Sequence, residues 1–271
     1  MSRSEKDLEK LEQTARQIRR HVIQMTYDAG SGHPGGSLSE TDILTALYFY
    51  KMRYDPKNPE WPDRDRFVLS KGHGAPAFYA VLAEAGFFGL DELKNLRKIN
   101  HLLQGHPSNE TPGVEISSGS LGQGLSVANG IALAGKLDKK TYHVYVLLGD
   151  GELDEGQVWE AAMTAGHYKL DNITAIIDRN GIQQTGKTEK TKSLEPLAEK
   201  WKAFGWEVSE IDGHDIKEIM DALDEKTTGK PHVIIANTVK GKGVSFMEND
   251  HEWHGRAPNK EEYEKAMREL A

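Results

Sequence analysis

The chain has 271 residues with 34 basic and 42 acidic side chains, a net charge of −8, which removes the electrostatic footprint of a nucleic-acid or anionic-membrane binder. Its 37% hydrophobic and 28% charged residues describe a globular protein of one large α/β domain or two small ones, and we expect one. Zero cysteines exclude disulfides, thiolate zinc sites, iron–sulfur clusters and cysteine nucleophiles together, and no apolar run approaches the ~18 to 20 residues of a membrane span.

The first twenty residues read as charged helix rather than as a secretory segment, so the cytoplasm is the expected compartment. From Glu5 to Tyr27, Leu8, Leu11, Ala15, Ile18, Val22 and Met25 recur at spacings of three and four, one apolar stripe on a helix ended by Ala29-Gly30. The stripe reads as packing surface, because three heptads with Ala15 in the seam make a poor coiled coil. After the turn Ser31-Gly-His-Pro-Gly-Gly36, Ser39 is the expected N-cap of a helix reaching Tyr50. Phe67–Ser70 reads as a strand, followed by an alanine-rich helix up to Gly86, and a Gly-Ser stretch from Ile116 to Gly124 leads to a helix over Leu125–Leu137. Then the pattern becomes regular. Strands over Val144–Leu148, Ile173–Ile177, Trp206–Ile211 and His232–Val239 alternate with helices over Glu155–Tyr168, Leu194–Phe204 and Asp215–Lys226. Continuous apolar strands alternating with helices predict an α/β fold, a mostly parallel sheet with helices on both faces. No repeat, low-complexity segment or linker marks an interior boundary.

In such a sheet, ligands bind beyond the carboxyl ends of the strands. Two adjacent strands open there into polar turns, Gly149-Asp-Gly-Glu-Leu-Asp-Glu155 and Asp178-Arg-Asn-Gly-Ile182. Taken singly, Asp-Gly and Asn-Gly are ordinary turn residues. Paired one strand–helix–strand unit apart, Asp150 and Asn180 describe an oxygen-rich site suited to magnesium, with glycines that let a diphosphate approach the backbone. Of the histidines, His33, His73, His106, His167, His214 and His254 adjoin a glycine, which lets an imidazole lean into a cleft. Structural roles are expected for His167 and His214, and more firmly for His21, His101, His143 and His232. His251 and His254 form an H-x-x-H pair without a third ligand spaced for zinc. Gly119-x-x-Gly122-x-Gly124 resembles a dinucleotide fingerprint in the wrong order and without a preceding strand, which makes a nicotinamide dehydrogenase a distant alternative. Thr238-Val-Lys-Gly-Lys-Gly243, glycine-rich and basic at the end of another strand, is a candidate phosphate loop, although it lacks the leading glycine and the Lys-Ser/Thr end of a Walker motif.

Gly149-Asp-Gly151 followed by Asn180 resembles the thiamine-diphosphate signature. Ser31-Gly-His-Pro-Gly35, Asn58–Ser70, Gly72-His-Gly74, Gly105-His-Pro107, Leu121-Gly-Gln-Gly124, Ile211-Asp-Gly-His-Asp215 and His254-Gly255 are similar, in order, to transketolase from about residue 8 to 260. Two departures stand out. Ser120 replaces the usual proline, and the chain stops where the family's diphosphate-binding domain stops. The resemblance is thus to the N-terminal, diphosphate-binding subunit of a split transketolase, residues 1–271 forming one thiamine-diphosphate-binding domain.

That resemblance implies transfer of a two-carbon ketol group between sugar phosphates, with thiamine diphosphate and Mg2+ (Ca2+ or Mn2+ as substitutes) as cofactors. Asp150, Asn180 and the Ile182 carbonyl would bind the metal. His73, Gly151 and His254 would hold the diphosphate, with Asn180 also on the cofactor, Leu121 against the thiazolium and Gly119 beside it. His33, His73, His106 and His254 would serve as the catalytic histidines of the substrate channel, and Glu155 would be the carboxylate linking two cofactor sites. The implied partner is a separately encoded subunit with the pyrimidine and C-terminal domains, two copies of each chain. Two alternatives stay open: the alpha subunit of a 2-oxo-acid dehydrogenase's first component, and a cofactor-binding subunit without turnover.

Overall fold

The computed structural model describes residues 5–271. Five strands form one parallel sheet: β1 (Arg66–Leu69), β2 (Val144–Gly149), β3 (Ile173–Arg179), β6 (Glu207–Asp212) and β7 (His232–Asn237), in the order β1-β2-β3-β7-β6. The short strands β4 (Ile182–Gln183) and β5 (Gly186–Lys187) pair antiparallel beyond the end of β3. Register follows the apolar runs, with Val146 beside Ala175 and Ile176 beside Ile234.

The strands read as unbroken apolar runs because both faces are covered. Side chains divide by period two. Tyr145, Leu147, Ile176, Ile234 and Ala236 join the core under the helices Glu5–Ala29, Ala75–Glu84 and Ile216–Asp224. Val144, Val146, Leu148, Ile173, Ala175, Ile177, Val233 and Ile235 face the helices Gly124–Leu137, Gly156–His167 and Leu197–Ala203. Each such Val, Leu or Ile side chain contributes on the order of 1.5–3 kcal/mol on burial. The stripe on the first helix is packing surface, since Leu11, Ala15, Ile18, Val22 and Met25 are all buried in this one chain.

Ser39 corrects the sequence reading. Pro34 opens a helix at Pro34–Ser39, and Glu40 separates it from Thr41–Ala46, which runs on into a π-turn at Leu47–Lys51. Ser39 therefore ends a helix instead of capping one, and its hydroxyl donates to Gly36 O at 3.1 Å and to the Asp178 carboxylate at 2.6 Å. A further helix, Lys260–Glu269, lies beyond the elements expected from the sequence, although Asn259 and Glu262 close a capping box at its start. Among the described residues no helix is long and apolar enough to cross a membrane.

Candidate active site

Four parallel strands end in polar segments at one edge: Ser70–Gly74 after β1, Gly149–Glu152 after β2, Arg179–Ile182 after β3, and Thr238–Lys240 after β7. Beneath them lies a buried ion cluster. Lys71 Nζ stands 2.5 Å from Asp178 and 2.9 Å from Glu40, and donates to Gly36 O at 2.9 Å. Asp178 also accepts from Ser39, Thr238 and Asn180. Burial would raise its carboxyl, but Lys71 and these donors outweigh it and hold the group below the usual carboxylate range. Glu40, fully buried, is pushed up to about 8 by burial, which Lys71 offsets only in part. Its oxygens lie off the hydrogen-bond direction despite the short ion-pair distance. Gly74 is required here, because a Cβ would collide with Glu40 Oε1.

Above this floor, oxygen atoms from the two adjacent turns come together as the spacing predicts. Asp150 is buried; Oδ1 accepts from Gly151 N at 2.7 Å and Oδ2 from Gly181 N at 2.5 Å. Burial raises its carboxyl first, Asp178 adds to that, and these donors with Arg179 only partly offset it. Asn180 Oδ1 accepts from Ile182 N at 3.1 Å, and the Ile182 carbonyl accepts from Lys240 Nζ at 3.0 Å. One carboxylate, one amide oxygen and one peptide carbonyl are the donors a hard cation takes, and the carbonyl already draws a cationic group, the Lys240 ammonium. Burial pulls Lys240 down to about 8, with Lys71 acting in the same direction.

The four histidines expected to work together do converge. Ring centroids lie 5.4 Å apart for His33 and His73, 5.0 Å for His73 and His254, 5.5 Å for His33 and His254, and 6.1 Å for His33 and His106. Burial, then the nearby charges of Arg97, His106 and Lys240, bring His33 down to about 4. Burial and Lys240 bring His254 down to about 3. His73 and His106 are lowered too, by burial and then by Lys71 and Arg97 respectively. All four imidazoles are therefore neutral near pH 7; His254 Nδ1 accepts from Lys240 Nζ at 2.9 Å and leaves its Nε2–H to donate. His33 Nδ1 is buried without a hydrogen-bond partner, the mark of an atom placed for a ligand. His106, exposed, stands at the mouth, its backbone carbonyl held by Tyr79 Oη at 3.0 Å.

Gly119 lies against His106, since a Cβ there would stand 3.3 Å from its ring, and the turn at Gly72 packs on Ser118 and Gly119. Leu121 is half-buried two residues on. Glu155 is exposed at the start of the helix Gly156–His167, its Cβ where a side chain on Gly122 would collide. It lies on the surface, away from the ion cluster. The H-x-x-H pair separates: His254 joins the imidazoles, whereas His251 is exposed beside Asp250 and Glu252. Among the described residues no group of three or more His, Cys, Asp or Glu side chains is arranged to hold a metal, so a cation here depends on the mixed set of Asp150, Asn180 and Ile182.

Three participants, Lys71, Glu40 and Glu152, lie outside the residues that sequence reasoning singles out, and a fourth, Lys240, belongs to the basic segment Thr238–Gly243. Lys71 and Lys240 carry a usable signal, a lysine directly after a strand. Glu40 carries none, because only the packing against Gly74 and Lys71 reveals it. Glu152 reads in the sequence as one acid in a run; it is buried and ties three loops together, accepting from Ser70 Oγ, from Gly122 N at 2.8 Å and from Gly149 N at 3.0 Å. A cavity of about 1390 Å³ opens at the opposite edge of the sheet beside His143, Tyr145 and Asp65. It touches none of these residues, and the convergent chemistry outweighs its size.

The family model for the thiamine diphosphate binding domain of transketolase matches residues 11–271. A subunit of the apulose-4-phosphate transketolase of Phocaeicola vulgatus is 46% identical over 266 residues, covering 97% of this chain and 95% of that protein. A 6-deoxy-6-sulfo-D-fructose transketolase subunit from a Clostridium species is also 46% identical, covering 96% of each chain. Human transketolase is 45% identical over 97% of this chain, which spans only 42% of its length. A crystal structure of transketolase from Campylobacter jejuni superposes with a TM-score of 0.92 at 38% identity, again over 96% of this chain and 42% of that one.

Proposed function

The chain belongs to the transketolase family, as its thiamine diphosphate binding domain, and from that premise we propose that it is the diphosphate-binding subunit of a two-chain transketolase. Proteins named as single subunits of such enzymes match it end to end, while single-chain transketolases are more than twice as long. The observation that carries the reading is the meeting of four neutral imidazoles with the oxygen set of Asp150, Asn180 and Ile182 at one edge of the sheet.

Asp150, Asn180 and the Ile182 carbonyl would hold Mg2+, displacing Lys240 from that carbonyl toward the diphosphate. Gly151, His73 and His254 would receive the diphosphate, where glycine at 151 keeps the backbone open; a Cβ there would stand 2.8 Å from Gln183 Cβ. Leu121 and Gly119 would flank the thiazolium. Thiamine diphosphate supplies the carbon nucleophile and the electron sink for moving a two-carbon ketol group. The chain's own work is to position and to move protons. His33, His73, His106 and His254, kept neutral by burial, would accept a proton from one sugar hydroxyl and return it to another, and would crowd water out between them.

The partner is a separately encoded subunit with the pyrimidine and C-terminal domains. Two copies of each chain would form the enzyme, with exposed Glu155 at the contact linking the cofactor sites. The substrates are anionic sugars, ketose and aldose phosphates first, since two of the relatives described above are named for a phosphorylated and a sulfonated sugar. The expected compartment is the cytoplasm. On its own, the purified chain should show no ketol transfer, because on this reading the carboxylate that the cofactor's aminopyrimidine needs would come from the partner's pyrimidine domain. Adding the partner should restore turnover, and light scattering of the active complex should give two of each chain. Ketol transfer by the chain by itself, with the partner absent by mass spectrometry, would break the reading.

A further inference from the structure

Lys240 reaches the site from a tight turn, and side chains from two helices, Glu5–Ala29 and Thr41–Ala46, and from the turn after β6 converge on it. His214 Nε2 accepts from Val239 N at 2.8 Å. Arg19 Nε donates to Lys242 O at 3.2 Å. The two side chains thus grip the backbone on either side of Lys240, one by an N–H and one by a carbonyl. Both are fixed by a single carboxylate. Asp42 takes Arg19 in a bidentate pair at 2.9 and 2.6 Å and His214 Nδ1 at 2.7 Å. All three side chains are nearly buried, with side-chain exposures of 10% for Arg19, 8% for Asp42 and 11% for His214. Because Val239 N–H needs a lone pair, the His214 proton sits on Nδ1, where Asp42 accepts it.

We propose that Asp42, Arg19 and His214 form a positioning clamp that holds the Val239–Lys242 turn so that the Lys240 ammonium stays aimed at the diphosphate and metal site. The inference rests on the function proposed above for that site, and it gives a task to a histidine expected to be merely structural. The turn is also held by Thr238 N on Arg179 O, Lys242 N on Val239 O, Gly241 N on Gly35 O, Asn249 N on Lys240 O and Gly243 N on Glu248 Oε1, while Val239 N and Lys242 O are taken by the clamp. A long lysine with four rotatable bonds loses entropy each time it must be found in one place, and a rigid turn removes part of that cost.

The test uses the full chain in four forms: wild type, His214→Phe, His214→Gln and Arg19→Lys. The phenyl ring fills the space without a donor or acceptor. The glutamine amide keeps one of each, and Arg19→Lys keeps the ion pair with Asp42 but loses the bond to Lys242 O. Lys240 acylation by a small N-hydroxysuccinimide ester is followed by mass spectrometry, with buried Lys71 as internal control because its ammonium is anchored elsewhere, by Asp178 and Gly36 O. Affinity for thiamine diphosphate with Mg2+ is measured by calorimetry.

In His214→Phe and Arg19→Lys, Lys240 should acylate at least about fivefold faster with Lys71 unchanged, and the dissociation constant should rise about tenfold. His214→Gln should stay within about threefold of wild type in both. Lys240 protection equal to wild type in both disruptive variants would overturn the clamp. So would Lys71 and Lys240 becoming reactive together, which is general loosening. If circular dichroism shows His214→Phe unfolded, Arg19→Lys decides alone. Should the wild-type chain fail to bind thiamine diphosphate even with its partner added, the functional reading falls while the Lys240 to Lys71 ratio still judges the clamp.

Discussion

Both edges of the sheet carry buried, neutral histidines, and only one of them is equipped for chemistry. At the amino edge, His143 Nε2 meets Thr174 Oγ1 at 2.9 Å and His232 Nε2 meets Ser209 Oγ at 2.8 Å, each on a neighbouring strand. Burial drives both imidazoles down, His143 to about 4. A large cavity opens beside His143. At the carboxyl edge the imidazoles are depressed as well, yet they face one another, and His33 Nδ1 has no hydrogen-bond partner among the described residues. Depressed titration and cavity volume do not separate the two edges. What separates them is whether the polar atoms are consumed by their own strands or left for a ligand.

The comparison breaks most visibly at Asp150. Asp150→Ala should abolish binding of thiamine diphosphate with Mg2+, raising the dissociation constant more than about a hundredfold, because one amide and one carbonyl carry too little charge to hold a divalent cation beside a diphosphate. Asn180→Ala should cost less, since it removes an oxygen without a formal charge. Calorimetry that puts Asp150→Ala within about threefold of wild type would refute the metal assignment.

Next in size come the histidines themselves, measured on the complex reconstituted with its partner. His106→Ala should lower turnover on the order of a hundredfold while cofactor affinity holds, because this exposed ring at the mouth can meet only substrate hydroxyls. His254→Ala should damage both, since its Nδ1 touches Lys240 at 2.9 Å on the metal side and its ring faces His33 on the other. Equal loss of cofactor affinity in the two variants, or full activity in His106→Ala, would reassign them.

The sheet is legible in the sequence because its strands are apolar without interruption, a pattern that only two covered faces allow. The turns after β2 and β3 are legible for the same reason: a polar pair directly after such a run has one place to go, and Asp150 and Asn180 go there. Glu40 and the hold of His214 on Val239 are not. Their roles depend on loops from distant parts of the chain packing together, and no local spacing records that Gly74 leaves room for a carboxylate or that His214 holds Val239. Ser39 misleads because a serine before a helical pattern signals a cap only when nothing earlier starts the helix, and Pro34 does.

The smallest expected effect sharpens the comparison from its inactive side. Folded His143 titrates at about 4 against an ordinary 6.5, with burial the main cause. Between those two values the unfolded chain binds a proton that the folded chain refuses, so the stability this residue permits is complete above about pH 6.5 and is lost as pH falls toward 4. Over the step from pH 7 to pH 5 the loss from His143 alone should be about 2 kcal/mol. His143→Gln should be less stable than wild type at pH 7, where the packing on Tyr145 and the bond to Thr174 are gone. On going to pH 5, however, it should lose about 2 kcal/mol less than wild type does. Urea unfolding of both proteins at the two pH values measures this directly, and an equal loss in both would remove His143 as the source. Cofactor affinity in the same variant should stay at the wild-type value, because none of the residues His143 touches reaches the carboxyl edge; a change there would mean that the two edges are coupled through β2 and β3 and are not the independent regions their chemistry makes them.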